Sequence, residues 1–199
     1  MLIVVFTFPL TALSEEKTYS DNSIEFTISV GSVSDGDIPF SSNSELFIEN
    51  SYMGSAKLAF YLDRLAAIEA SFVARFDESF YVPDKSITDI DPEEYARGNF
   101  FNYHFNLGLV YNFGDLVHVP FITTGIGITT LNYSKEFDVP SARTRFTIFA
   151  GLGYKYFIKE FLALRVEFTF EYFDYENLNN QNEFFLDILL SAGLTFKFN

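Results

Sequence analysis

The sequence predicts an all-β fold, an eight-stranded antiparallel up-and-down transmembrane β-barrel, and three observations carry that prediction. Large apolar side chains recur at every second position in one segment after another, and the connections between those segments alternate between short and long. The third observation is composition: 26 Phe and 12 Tyr in 199 residues, with a mean hydropathy of only +0.12 and no 18-residue apolar stretch after the N-terminal run that could cross a bilayer as a helix. So many rings need an apolar medium, and alternating strands meet one on a single face.

Residues 1–14, MLIVVFTFPLTALS, form an apolar run too short and too interrupted by Thr and Pro for a helical span. Ala12-Leu13-Ser14 places small residues at signal-peptidase spacing, so a signal peptide is expected over 1–14 and one barrel domain over 15–199. No Lys or Arg precedes the apolar run, which leaves the true start of the leader open, and a buried first strand is the alternative.

The strands follow in chain order. Ile24 to Val33 sets Ile24, Phe26, Ile28 and Val30 against Glu25, Thr27, Ser29 and Gly31. Ser51 to Leu62 sets Tyr52, Ala56, Leu58, Phe60 and Leu62 against Ser55, Lys57 and Tyr61, and Ala66 to Asp77 sets Ile68, Phe72 and Phe76 against Glu69, Ser71 and Arg75. Phe101 to Phe113 places an apolar residue at every odd position, with Asn102, His104, Asn106 and Asn112 between them. His118 to Leu131 reads as a strand of undecided facing, because Ile122, Ile126 and Ile128 oppose Val119 and Phe121. Arg145 to Phe157 sets Phe146, Ile148, Leu152, Tyr154 and Tyr156 against Arg145, Thr147 and Lys155. Leu162 to Phe173 sets Leu162, Leu164, Val166, Phe168, Phe170 and Tyr172 against Arg165, Glu167, Thr169 and Glu171. Phe185 to Phe198 sets Leu186, Ile188, Leu190, Leu194, Phe196 and Phe198 against Asp187, Ser191, Thr195 and Lys197. Successive strand side chains point to opposite faces, so each strand has one greasy and one polar face.

Asp63 to Leu65, Gly114 to Val117 and Ile158 to Phe161 are expected as tight turns, and Ser34 to Asn50, Glu78 to Asn99, Asn132 to Arg143 and Asp174 to Phe184 as long polar loops on the opposite rim. A bilayer demands closure, because an open sheet edge in hydrocarbon leaves amides without partners. A soluble lipocalin-like carrier shows the same alternation turned inside out, but eight strands enclose too little space for this many Phe, Tyr and Leu. The polar set suits a lumen: Lys57, Arg75, Arg145, Lys155, Arg165 and Lys197 face Glu25, Glu69, Glu167, Glu171 and Asp187 in near balance, a candidate internal ion-pair network. Aromatic residues near strand ends fit two interfacial girdles.

GLGYKYFIKEFLALRVEFTFEYF, from Gly151 to Phe173, resembles the penultimate hairpin of the OmpA-like (OmpA/OmpX-type) outer-membrane β-barrel family. PFITTGIGI at Pro120 to Ile128 is similar to that family's fifth strand, and SAGLTFKFN at the C-terminus to its last. The resemblance implies an eight-stranded barrel in a bacterial outer membrane, with both termini periplasmic and long loops outside. It also implies a C-terminal signal at Leu194, Phe196 and Phe198 for the barrel assembly machinery. The final residue is Asn199 rather than an aromatic, and the 199 residues end with the barrel, so no peptidoglycan-binding domain is expected within them.

Charge and residue usage then restrict function. With 27 acidic residues against 13 basic, a nucleic-acid partner is not expected, since phosphate binding needs clustered Lys and Arg. The absence of Cys excludes disulfides, thiolate metal sites and thiol nucleophiles, and no cofactor is expected. The four long loops hold fifteen acids and four bases, eleven of the fourteen net negative charges, so an acidic extracellular rim that meets a surface ligand is expected. DKSITDIDPEEYARG, Asp84 to Gly98, clusters carboxylates but lacks the spaced ligands and turn glycine of an EF-hand loop, and reads as a solvated acidic loop. Small barrels that acylate or deacylate lipid A use His with Ser; here Asn106 follows His104 at that spacing, and His118 stands at the opposite rim. Gly125 and Gly127 precede no helix, so they form no phosphate loop; they are expected to relieve crowding or permit bending in the wall. The reading is a non-enzymatic barrel, structural or surface-interacting, its lumen plugged by ion pairs; a narrow pore and a lipid A-modifying enzyme are the alternatives.

Overall fold

The computed structural model describes residues 22–34, 38–41, 44–82, 97–114, 117–132, 143–176 and 182–198. Nine strands occur in it: β1 (Ile24–Ser34), β2 (Ile38–Ser41), β3 (Ser44–Tyr61), β4 (Ala66–Val82), β5 (Arg97–Asn112), β6 (His118–Asn132), β7 (Arg143–Lys159), β8 (Leu162–Glu176) and β9 (Asn182–Phe198). From β2 onward neighbours in sequence pair antiparallel, and β1 pairs with both β9 and β3, which closes an eight-stranded barrel of β1 and β3 to β9. Closure leaves no edge for hydrocarbon to strip of hydrogen bonds.

Two expectations are revised. Ser34 to Asn50 is not all loop: β2 pairs with β3 from Ile38↔Leu46 to Ser41↔Ser44 and prolongs the wall past the end of β1, with 35–37 and 42–43 outside the described residues. The polar SELFIEN stretch of β3 keeps strand pairing there because β4 matches it from Glu45↔Val82 onward. Strands also run longer than the apolar alternation marks, 15 to 18 residues from β3 to β9, since backbone pairing continues after side chains turn polar. The signal peptide over 1–14, Asn199 and the greater part of the remaining long loops (83–96, 133–142 and 177–181) lie outside the described residues.

Of the short turns expected, the first lies at 62–65 and the third narrows to 160–161, because Ile158 and Lys159 belong to β7; the second joins β5 to β6, with 115–116 outside the described residues. At the first, Asp63 Oδ1 accepts the amides of Leu65 and Ala66, each at 2.7 Å, which folds the chain back into β4. Gly114 in the second has φ 136°, a backbone conformation that side chains rarely adopt.

Facing follows the alternation. Leu107, Leu109, Ile126, Leu152 and Leu190 are each more than half exposed on the outer wall, whereas the charged sets point inward. Among the described side chains, the outer face of the strands carries Glu78 near the long-loop end, His118 and Lys159 near the short-turn end, and no Asp, Glu, Lys or Arg between them. A lipocalin-like carrier would show the reverse. The undecided strand resolves: in β6, Ile122, Ile126 and Ile128 face out, and Val119, Phe121, Thr123 and Thr129 face in. Phe121 fits inside because its register partner is Gly153; a Cβ there would stand 2.3 Å from the Phe121 ring. Gly125 and Gly108 likewise make room for the inward ring of Phe149, as the crowding argument for Gly125 required.

Candidate functional site

Among the described residues, ionisable groups converge in the lumen, in tiers along the barrel axis. At the short-turn end, Ala59, Ala67, Val110, Val119, Phe157 and Ala163 join Tyr61 and Phe121 in an apolar floor. Lys155, fully buried, reaches over it to Glu25 Oε2 at 2.7 Å and to the Tyr61 hydroxyl at 2.7 Å. Tyr61 donates to Glu25 Oε2 at 3.1 Å, and Asn112 Nδ2 donates to the Tyr61 oxygen at 3.0 Å. Lys155 Nζ also stands 5.3 Å from the centre of the Phe121 ring, where the ring's negative face attracts a cation.

The next tier centres on Arg165. Its Nη1 and Nη2 meet Glu69 Oε2 and Oε1 at 2.6 and 3.1 Å, a two-pronged grip, and Nε donates to Glu167 Oε2 at 2.9 Å. Lys57 Nζ takes the other Glu167 oxygen at 2.7 Å, and Thr169 adds a hydrogen bond to it at 3.2 Å. The guanidinium carbon lies 4.5 Å from the centre of the Phe121 ring, so that one ring supports both tiers.

Above them Glu171 approaches His104 Nδ1 at 2.7 Å and accepts from Asn106 at 3.0 Å; His104 Nδ1 is also 3.0 Å from the Thr129 hydroxyl, itself bonded to Thr147. Val33, Met53, Val73 and Leu189 form a second apolar cluster inside the barrel. In the last tier Arg75 joins Asp77 and Asp187, both at 2.6 Å, with Ser51 and Asn102 completing the carboxylate of Asp77. Between the second and third tiers lies a cavity of about 20 Å3 touched by Lys57, Asn106, Glu167, Thr169 and Glu171. That volume holds about one water molecule.

Eight residues of the expected network meet in the cation–carboxylate contacts above, and Glu171 meets His104. Arg145 and Lys197 share the inward face of β7 and β9; Lys197 lies opposite Glu25 in the ladder and Arg145 opposite Thr129. The sequence reading missed Tyr61, Asp77, Asn102, Asn106 and Asn112 as members, whereas the parity of His104 places it inside, in a hydrogen-bonded interior, as found. All occupy the polar set of their strands, and Asp77 two positions after Arg75 was the available signal. His104 is buried, and the carboxylate of Glu171 beside it is buried too. Leu194, Phe196 and Phe198 lie on the outer face of β9, opposite Ile28, Phe26 and Ile24 of β1.

No protein-family model and no curated protein sequence matches the chain. Solved structures do match. OprG from Pseudomonas aeruginosa superposes with a TM-score of 0.67 at 9% identity, covering 92% of this chain and 100% of that one. Neisserial surface protein A gives 0.60 at 11% identity over 88% and 96% of the two chains. Ail, the attachment invasion locus protein of Yersinia pestis, gives 0.57 at 11% identity over 89% and 99%, in a complex with the heparin analogue sucrose octasulfate. The fold is that of bacterial outer-membrane β-barrels.

Proposed function

We propose that the chain is a non-enzymatic barrel of a bacterial outer membrane, internally braced and closed by its ion-pair tiers, that meets extracellular ligands through long acidic loops. The observation that carries this reading is the inversion of polarity among the described residues: an apolar wall outside, uncharged between its two rims, and a dense set of paired charges inside. Lys or Arg at the bilayer midplane costs roughly 2 to 4 kcal/mol, whereas the same charges inside the lumen find carboxylates within hydrogen-bond distance. Closure of the lumen is supported by the small cavity between the second and third tiers, which holds about one water.

Contact with lipid and delivery by the barrel assembly machinery through Leu194, Phe196 and Phe198 belong to the same reading. The loop role rests on their net charge and on the likeness to an attachment protein. Their acidity argues for a basic or cationic ligand rather than a sulfated polyanion like the one held by Ail. Planar-bilayer recording tests the closed lumen: the folded protein is expected to give no stepwise conductance, and discrete unitary currents would overturn closure in favour of a narrow pore. Unchanged lipid A mass on expression is the expected outcome for a barrel without catalysis.

A further inference from the structure

His118 is the one histidine on the outer wall among the described residues, and nothing in the lumen network uses it. It opens β6 just beyond the 113–117 turn, is exposed, and lies opposite Tyr156 of β7 in the ladder. Its Nδ1 is hydrogen-bonded to the hydroxyl of Tyr154, and its ring centre is 5.2 Å from that of Tyr156. Both tyrosines sit on the lipid-facing side of the strand.

The proton count of this pair forces a consequence. If Tyr154 donates to Nδ1, the neutral imidazole carries its proton on Nε2; if Nδ1 donates, the Tyr154 hydroxyl keeps a hydrogen to give elsewhere; an imidazolium leaves both. In every case the exposed pair keeps a donor that its own bond does not use, on a wall that faces acyl chains, which accept nothing, and a donor left unpaired in hydrocarbon costs several kcal/mol. At the level where a strand ends and aromatic residues gather, the abundant acceptor is the headgroup phosphate. Lys159, exposed on the same strand as the two tyrosines, adds a cation at this rim.

Resting on the membrane-barrel reading, we propose that His118, Tyr154 and Tyr156 form a contact site for the phosphate of a phospholipid headgroup in the leaflet at the short-turn rim. The test is nitrogen–phosphorus dipolar dephasing in solid-state NMR, on full chain with 15N-labelled histidine rings in phosphatidylcholine–phosphatidylglycerol vesicles. His104, buried in the lumen, is the internal reference, and His118→Phe assigns the two signals. The His118 ring is expected to dephase against 31P while His104 does not, and Tyr154→Phe is expected to cut the His118 effect at least twofold. Absence of His118 dephasing in protein that floats with the vesicles and shifts on gels when boiled would overturn the site. So would equal dephasing at His104, no response to Tyr154→Phe, or dephasing by inorganic phosphate in phosphorus-free maltoside micelles, which would mark a free-phosphate site. Protein that fails to float with vesicles would overturn the membrane reading and this site together.

Discussion

Arg165 on β8 grips both carboxylate oxygens of Glu69 on β4, at 2.6 and 3.1 Å, and the two strands stand four places apart whichever way the barrel is traversed. The pair is thus a strut across the full width of the lumen. Removing one end strands a buried charge, so Glu69→Ala is expected to destabilise by about 3 to 5 kcal/mol. Replacing both ends with apolar residues, Glu69→Leu with Arg165→Met, is expected to cost less than the single change. Urea unfolding in lipid vesicles measures both, and a double variant worse than the single would contradict the strut.

The outer wall yields the opposite sensitivity. Phe168 faces outward between Leu152 and Leu190, near the middle of the apolar span of β8. Phe168→Arg is expected to cost roughly 2 to 4 kcal/mol or to block assembly, while Phe168→Leu stays within about 1.5 kcal/mol. Recovery of heat-modifiable, folded protein on gels reads the outcome; equal yields of the two variants would count against a lipid-facing position.

Gly153 and Phe121 form a size match across β7 and β6. A methyl at Gly153 would meet the Phe121 ring at 2.3 Å and the Val166 carbonyl at 2.7 Å. Gly153→Ala is therefore expected to cost about 1 to 3 kcal/mol, and Phe121→Leu in the same chain to restore part of it. A double-mutant cycle on unfolding midpoints gives the coupling; strictly additive losses would mean the backbone contact alone decides.

The 62–65 turn predicts a pH effect. Amides of Ala66 and Leu65 donate to the Asp63 carboxylate and hold its pKa below the ordinary aspartate value. A depressed carboxylate stabilises the fold above its unfolded pKa, about 3.9, and the contribution is lost as pH falls through the folded value. The gap in unfolding midpoint between the natural chain and Asp63→Ala is thus expected to be full at neutral pH and to close under acid. A gap that stays constant into strong acid would speak against the ionised acceptor.

How much of this was legible depends on which physical signal each residue emits. Leu162 to Phe173 announced its faces because only one parity is greasy, and every charged member of that strand points inward as read. His118 to Leu131 could not, since Val119 and Phe121 are as apolar as Ile122 and Ile126; the missing information was a neighbour, Gly153, eliminating its side chain to admit Phe121. Interior apolar residues such as Met53, Val73 and Leu189 were overlooked for a related reason: a lumen can also be filled by grease, and alternation alone does not say where. Ser34 to Asn50 was read as a loop because its sequence lacks a clean apolar alternation, and its strands are held by backbone pairing of β3 with β2 and β4.

The ladder that joins β1 to β9 from Ile24↔Phe198 to Ser34↔Ile188 ties together opposite ends of the described chain. Thr27 and Thr195, bonded at 2.8 Å, are separated by 168 positions in sequence. Such a seam cannot form early: the entropy of bringing distant segments together must be overcome before the contact rewards it. Every partly built sheet therefore exposes two raw borders at once, and they vanish in a single final zippering that makes maturation of the cylinder slow and all-or-none.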